Sequence, residues 1–235
     1  MIDGIRETRR AIDAGVKLTE VFLNFSSSTD SDRAALLAIA SALQVPTFEL
    51  SDEAFAKISF GNRNEGIVAV ADSFKHSLSN LKLSACPLIL VLDGIEKPGN
   101  IGAVFRTASA AGVDAIFLTN ELCNPLNPNA IRASLGTVFG LPFISCSVSA
   151  AKHFFEQNRI RPIATRIDGH CAYTEFDYTQ SIGIVLGSED QGVHEEWKDI
   201  ESVTIPMKHS VDSLNISATA AIFSFEANRQ RNQIR

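Results

Sequence analysis

The chain has 235 residues, 45% hydrophobic and 20% charged, with a formal net charge of −6 at pH 7, an ordinary balance for a globular protein of one large domain or of about 150 residues plus a smaller unit. No apolar run nears the roughly 20 residues of a membrane span, and the opening Met1-Ile2-Asp3-Gly4-Ile5-Arg6 lacks the layout of a secretory leader, so a cytoplasmic protein is expected. The four cysteines, Cys86, Cys123, Cys146 and Cys171, form no CxxC pair, which argues against a zinc site or a disulfide framework, and the acidic balance argues mildly against bulk nucleic-acid binding.

Taken in order, residues 5–16 predict a helix with a partial apolar stripe of Ile5, Ile12 and Val16. A strand over 21–25 follows. Asp30 or Ser31 is positioned to cap a helix through Leu43, with Leu36, Ile39, Ala40 and Leu43 on one face. A strand over 46–50, a short helix from Ser51 to residue 58, a loop over 60–66 and a strand over 67–71 complete a small α/β/α unit. Residues 75–84 are polar and read as a linker. Arg6, Arg9, Arg10, Lys17, Arg63, Arg106 and Arg132 are available for a local basic patch.

Residues 87–93, PLILVLD, form a near-continuous apolar run of the kind buried in a parallel sheet. A loop over 94–99 leads to a helix over 101–111, rich in small residues suited to packing on a sheet, and Asn100 stands at its start as a candidate cap. Strands over 115–118, 143–146 and 162–166 alternate with helices over 130–135 and 149–158. Two further strands, 182–186 and 203–207, each end in a loop dense in Gly, Ser, Asn or Glu, and residues 213–217 open a helix running to about 229. Alternation of this kind predicts an α/β fold with a mainly parallel sheet, and a small-molecule pocket at the carboxyl ends of its last strands.

The common cofactor and hydrolase fingerprints are missing: no GxGxxG follows the first strand, and there is no GxxxxGK[ST], HExxH or GxSxG. Three stretches stand out instead. They are LDGIEKPGNIGAVFRTA over 92–108, GSEDQG over 187–192, and IPM over 205–207 followed by SLNIS over 213–217. In this order and spacing they resemble the three motifs of the SpoU (TrmH-like) RNA ribose 2′-O-methyltransferases, over about residues 86–231. Residues 1–74 resemble the small substrate-recognition domain that precedes many members' catalytic domain. Lys97 departs from the acidic residue that many relatives carry before the proline.

The resemblance implies a methyltransferase domain over 85–235 with a carboxy-terminal trefoil knot, a linker over 75–84 and an RNA-recognition domain over 1–74. It implies S-adenosylmethionine as methyl donor with S-adenosylhomocysteine as product, no metal, no membrane, and a homodimer whose active site draws on both subunits. RNA is the implied partner, with ribosomal RNA favoured; a transfer-RNA enzyme and a non-catalytic RNA-binding protein on the same fold are the rival readings.

Residue by residue, it makes Arg106 catalytic, with Gly102 one turn earlier leaving space beside it, and Asn100, Glu189, Ser213 and Asn215 the polar groups that organise the site. Gly187, Gly192, Ile205, Met207, Leu214 and Thr165 are implied cofactor contacts, and Arg63, Arg106 and Arg166 implied RNA contacts. For Arg106 two chemistries stay open: a base activated within the complex, or a cation that binds phosphate and stabilises the developing alkoxide.

Overall fold

The computed structural model describes residues 1–26, 29–42, 44–60, 65–74, 76–208 and 213–233. The first seven elements are β1 (Ile2–Asp3), α1 (Ile5–Asp13), β2 (Leu18–Leu23), α2 (Asp30–Ala42), β3 (Thr47–Glu49), α3 (Asp52–Ala56) and β4 (Ile67–Ala71). They build a four-stranded sheet in the order β1-β4-β2-β3, with β2 and β3 parallel and the other pairs antiparallel. Helix α1 stops short of the predicted residue 16 because Gly15 takes φ 76°, a left-handed conformation that breaks the helix at little cost for glycine. Ser51 caps α3, its Oγ accepting from Ala54 N at 3.3 Å. The two-residue strand β1 carries too little pattern to be seen in the sequence.

The remaining strands are β5 (Leu88–Asp93), β6 (Ala115–Thr119), β7 (Phe143–Ser145), β8 (Arg161–Thr165), β9 (Cys171–Ala172), β10 (Ile182–Leu186) and β11 (Glu201–Thr204). They form a seven-stranded sheet, β7-β6-β5-β10-β8-β11-β9, in which every pair is parallel. Both faces are covered. Along β5, Leu88, Leu90 and Leu92 point into one apolar cluster and Ile89 and Val91 into another. Each such side chain contributes roughly 1.5–3 kcal/mol by leaving water. On the second face Gly183 of β10 makes room for the Phe155 ring, which stacks on Phe117 with centroids 5.4 Å apart.

The helices of this half are α4 (Pro98–Ala111), α5 (Pro128–Ala133), α6 (Val148–Gln157) and α7 (Ile216–Gln233). Helix α4 lies between α5 and α7. It begins three residues earlier than the sequence predicts, because Pro98 occupies its first turn, where a missing N–H is harmless. Asn100 is therefore inside the first turn and does not cap the helix. Gly102 does not leave space for Arg106: a Cβ there would overlap the Ala130 carbonyl oxygen of α5, so the glycine permits helix-to-helix contact. Strand β11 ends at Thr204, two residues before Pro206, which leaves Ile205 and Met207 in the following loop.

Between β8 and β10 the only regular element is the short β9, where the alternation of strand and helix lapses. The linker-like segment is packed rather than free: Leu78, Leu81 and Leu83 lie against the second apolar cluster. The first half is joined to the second by one continuous core, in which Ile2, Ile5, Leu18 and Leu36 share a cluster with Leu90, Val104 and Phe139. Arg10 donates to the Leu135 carbonyl at 2.8 Å and Arg132 to the Phe60 carbonyl, so two members of the supposed basic patch serve as clasps between the halves. No helix among the described residues is long and apolar enough to cross a membrane.

Candidate active site

Ligand sites of parallel sheets lie among the loops outside the carboxyl ends of the strands, and a cavity opens there. It has a volume of about 470 Å³ and lies at the ends of β8, β10 and β11, beneath the start of α7. Its wall is built from three loops. The first, following β8, supplies Thr165, Arg166, Ile167 and Asp168. The second, following β10, runs through Gly187, Glu189 and Gly192. The third, following β11, brings Ile205, Met207, Ser213 and Leu214. Residues 209–212 lie outside the described residues.

The second loop closes on itself. Ser188 N donates to the Gly192 carbonyl at 3.0 Å, and Gly192 N donates back to the Ser188 carbonyl at 2.9 Å. Gly187 is required because a Cβ would overlap the Gly192 backbone, and Gly192 itself sits at φ +67°. The close approach that demands a glycine at 187 is therefore between two stretches of the same loop, and Gly187 also lines the cavity.

Glu189, at the tip of that loop, collects donors from two helices. Oε1 accepts from Asn100 Nδ2 of α4 at 3.1 Å and from Asn215 Nδ2 at 2.6 Å, while Oε2 accepts from Lys97 Nζ at 3.0 Å. Asn215 Nδ2 also donates to Asn100 Oδ1 at 3.1 Å. Asn215 caps α7, its Oδ1 accepting from Ser217 N at 2.9 Å, a short-range bond that fixes the side chain. Ser213 lines the cavity. The Lys97 ammonium, then the Asn100 amide, holds the Glu189 carboxyl below the usual carboxylate range, and Glu189 in turn raises Lys97. The pair is partly wet, with side-chain exposures of 69% for Lys97 and 27% for Glu189.

Arg166 and Asp168 form a two-pronged ion pair on the first loop, Nε to Oδ1 and Nη2 to Oδ2 both at 2.9 Å. Two of its guanidinium N–H groups are thus held by a carboxylate of the same loop. Thr165 Oγ1 donates to the Val185 carbonyl at 3.1 Å, linking β8 to β10 at the cavity floor.

The structure thus brings Asn100, Glu189 and Asn215 into mutual contact, and sets Thr165, Gly187, Gly192, Ile205, Met207, Ser213 and Leu214 around the adjoining cavity. It does not bring Arg106 to that group. Arg106 is exposed on α4, with no hydrogen bond or ion pair among the described residues. Six residues after Asn100, it lies about 9 Å further along the axis and on another face. Arg63 lies outside the described residues.

Two features had no signal in the sequence. One is Lys97 as a partner of Glu189, across 92 positions. The other is a bond between Asp93 and His194, across 101. Among the described residues no cluster of three or more His, Cys, Asp or Glu side chains could hold a metal.

Comparison with known proteins places this geometry. The sequence profile of the SpoU rRNA Methylase family matches residues 87–225. A 23S rRNA (adenosine(1067)-2'-O)-methyltransferase from Streptomyces laurentii is 31% identical, the alignment covering 94% of this chain and 83% of the relative. The 23S rRNA (guanosine-2'-O-)-methyltransferase RlmB of Ralstonia nicotianae is 27% identical over 98% of this chain and 92% of its own. Among solved structures, one described as an RNA 2'-O ribose methyltransferase superposes with a TM-score of 0.85 at 32% identity, covering 98% of this chain and 88% of that one. The ordered motifs, the parallel sheet with its carboxyl-end cavity and a profile match across more than half the chain have one reading: this protein belongs to the SpoU rRNA methylase family.

Proposed function

We propose that this protein transfers a methyl group from S-adenosylmethionine to a ribose 2′-hydroxyl of RNA, with ribosomal RNA the favoured substrate. The observation that carries the reading is the meeting of Asn100, Glu189 and Asn215, drawn from all three motifs, at the rim of the cavity. The lining suits the donor. Leu186, Ile205, Leu214 and Phe223 offer an apolar wall for an adenine ring, and beside it Asp190 adds a carboxylate to a lining in which Asp168 is paired with Arg166 and Glu189 with Lys97. Bound there, S-adenosylmethionine supplies an electrophilic methyl group for in-line attack by the ribose oxygen. The chain's task is to align the two and to manage one proton, so positioning dominates and no metal is required.

Arg106 serves in this reading as the cation beside the 2′-oxygen. A guanidinium does not give up its proton in proteins, so charge stabilisation of the developing alkoxide is favoured over a base role. Its exposure and its distance along α4 from Asn100 fit a homodimer in which each Arg106 serves the partner's site. The reading also includes a cytoplasmic location and a carboxy-terminal trefoil knot within 85–235, which fits the packing of α7 against both α4 and β10. It further includes an RNA-recognition role for residues 1–74 ahead of the segment 75–84. The ribosomal preference is supported by relatives named for 23S rRNA whose alignments span 94% and 98% of this chain, the amino-terminal unit included.

The test is transfer of labelled methyl from S-adenosylmethionine to size-separated RNA from a strain lacking the gene, with the product located by nuclease digestion and mass spectrometry. Label on a ribose of large ribosomal RNA is expected. Replacing Arg106 with Ala should abolish transfer and leave cofactor affinity within a few-fold; transfer at the wild-type rate overturns the assigned chemistry.

A further inference from the structure

Asp93, the last residue of β5, is completely buried, and each carboxylate oxygen accepts two hydrogen bonds. Oδ1 accepts from Thr119 Oγ1 at 2.8 Å and Asn120 Nδ2 at 2.9 Å, both at the end of β6. Oδ2 accepts from the backbone N of His194 at 2.8 Å and lies 2.9 Å from its Nδ1. A carboxylate only accepts, so Nδ1 carries the hydrogen and donates it. The acceptor sites of this carboxylate are therefore used up inside the fold.

The backbone on either side is shaped to the pair. Asn120 is held at φ 48°, in the left-handed region that asparagine enters more readily than most other non-glycine residues. Gly94, immediately after Asp93, takes φ +66°, and a Cβ there would overlap Cε1 of the His194 ring. The imidazole thus lies directly on main chain at the point where the first motif leaves its strand.

His194 stands at the foot of the 187–193 loop, which its own Ser188–Gly192 bonds close into a compact body. Such a body reaches α4 in register only if something sets its inclination. It has an attachment at its tip, through Glu189, and an attachment at its foot, through His194. We propose that the Asp93–His194 pair is a positioning device for methyl transfer: it ties the loop foot to the ends of β5 and β6 so that Glu189 meets Asn100 and Asn215. The proposal rests on the methyltransferase reading above. It requires Nδ1 of the imidazole and leaves Nε2 without a part, the side chain being 34% exposed.

Two isosteres separate these nitrogens. Asparagine places an amide N–H near the position of Nδ1, and glutamine places one near Nε2. His194→Asn, His194→Gln and His194→Ala are made in the full-length chain. For each, kcat and KM for RNA methylation, S-adenosylmethionine affinity by calorimetry and amide hydrogen exchange of residues 188–193 are measured. The Ala and Gln variants should lose about 10- to 100-fold in kcat, the scale of a small misplacement of reacting groups, with KM for RNA within a few-fold. The 188–193 amides should exchange faster in both, and His194→Asn should restore kcat and protection together. Rescue by Gln and not by Asn overturns the proposal, because Nε2 would then be the working atom; wild-type exchange and turnover in all three overturns it as well. Should His194→Ala fail to fold, the Asn and Gln variants decide between the nitrogens. If the wild-type protein methylates no RNA, the functional reading falls, while the exchange of 188–193 still decides whether the pair fixes the loop.

Discussion

Glu189 concentrates most of what single side chains do at this site. Its carboxylate holds Lys97, Asn100 and Asn215 at once, joining the start of α4 to the cap of α7. With Lys97 as the main cause, its folded pKa lies below the ordinary 4.5. The stability linked to that depression is present above the unfolded value and is lost as pH falls through the folded one. Glu189→Gln should therefore flatten the part of the melting-temperature profile below about pH 5 while lowering the melting temperature at neutral pH, as thermal melts in a pH series would register. An unchanged acid profile would mean that the ion pair does not hold in solution. The sequence singled out Glu189, Asn100 and Asn215 through motif resemblance, and left Lys97 as a mere departure from relatives. An ion pair across 92 positions has no local pattern to announce it.

At the scale of elements, α4 and its glycine show where local and tertiary demands part. Alanine is about 1 kcal/mol better than glycine inside a helix, so a lone helix would gain from Gly102→Ala. Here the added Cβ would overlap the Ala130 carbonyl oxygen of α5, a backbone atom that cannot rotate away. Overpacking of this sort costs about 1–3 kcal/mol, and net destabilisation is expected, read as a lower urea midpoint. A raised midpoint would show that α5 can retreat freely. Periodicity and apolar runs made most strands and helices legible to within a few residues. The misses have physical causes: β1 and β9 are two residues long, Pro98 advances α4, and Pro206 follows closely on the end of β11.

Across the whole molecule the two sheets share one apolar core, and Phe74 packs against Phe139 and Phe143 with ring centroids 6.3 and 5.8 Å apart. Removing residues 1–74 would uncover that surface and delete the Arg10 and Arg132 clasps. The fragment 75–235 should melt several degrees lower than the full chain and bind an apolar dye, by thermal melts and fluorescence. A fragment with the full chain's melting temperature would show that the junction contributes nothing. What the sequence by itself determined is the class of fold and the family. Burial on both faces of a parallel sheet writes continuous apolar runs such as 88–93, and the order of three motifs survives in one dimension. Tertiary structure alone decided which motif residues meet: that Glu189 bridges two helices and that Asp93 anchors His194. Such contacts depend on how far each strand end and helix turn carries its side chain in space, and a linear spacing does not contain that distance.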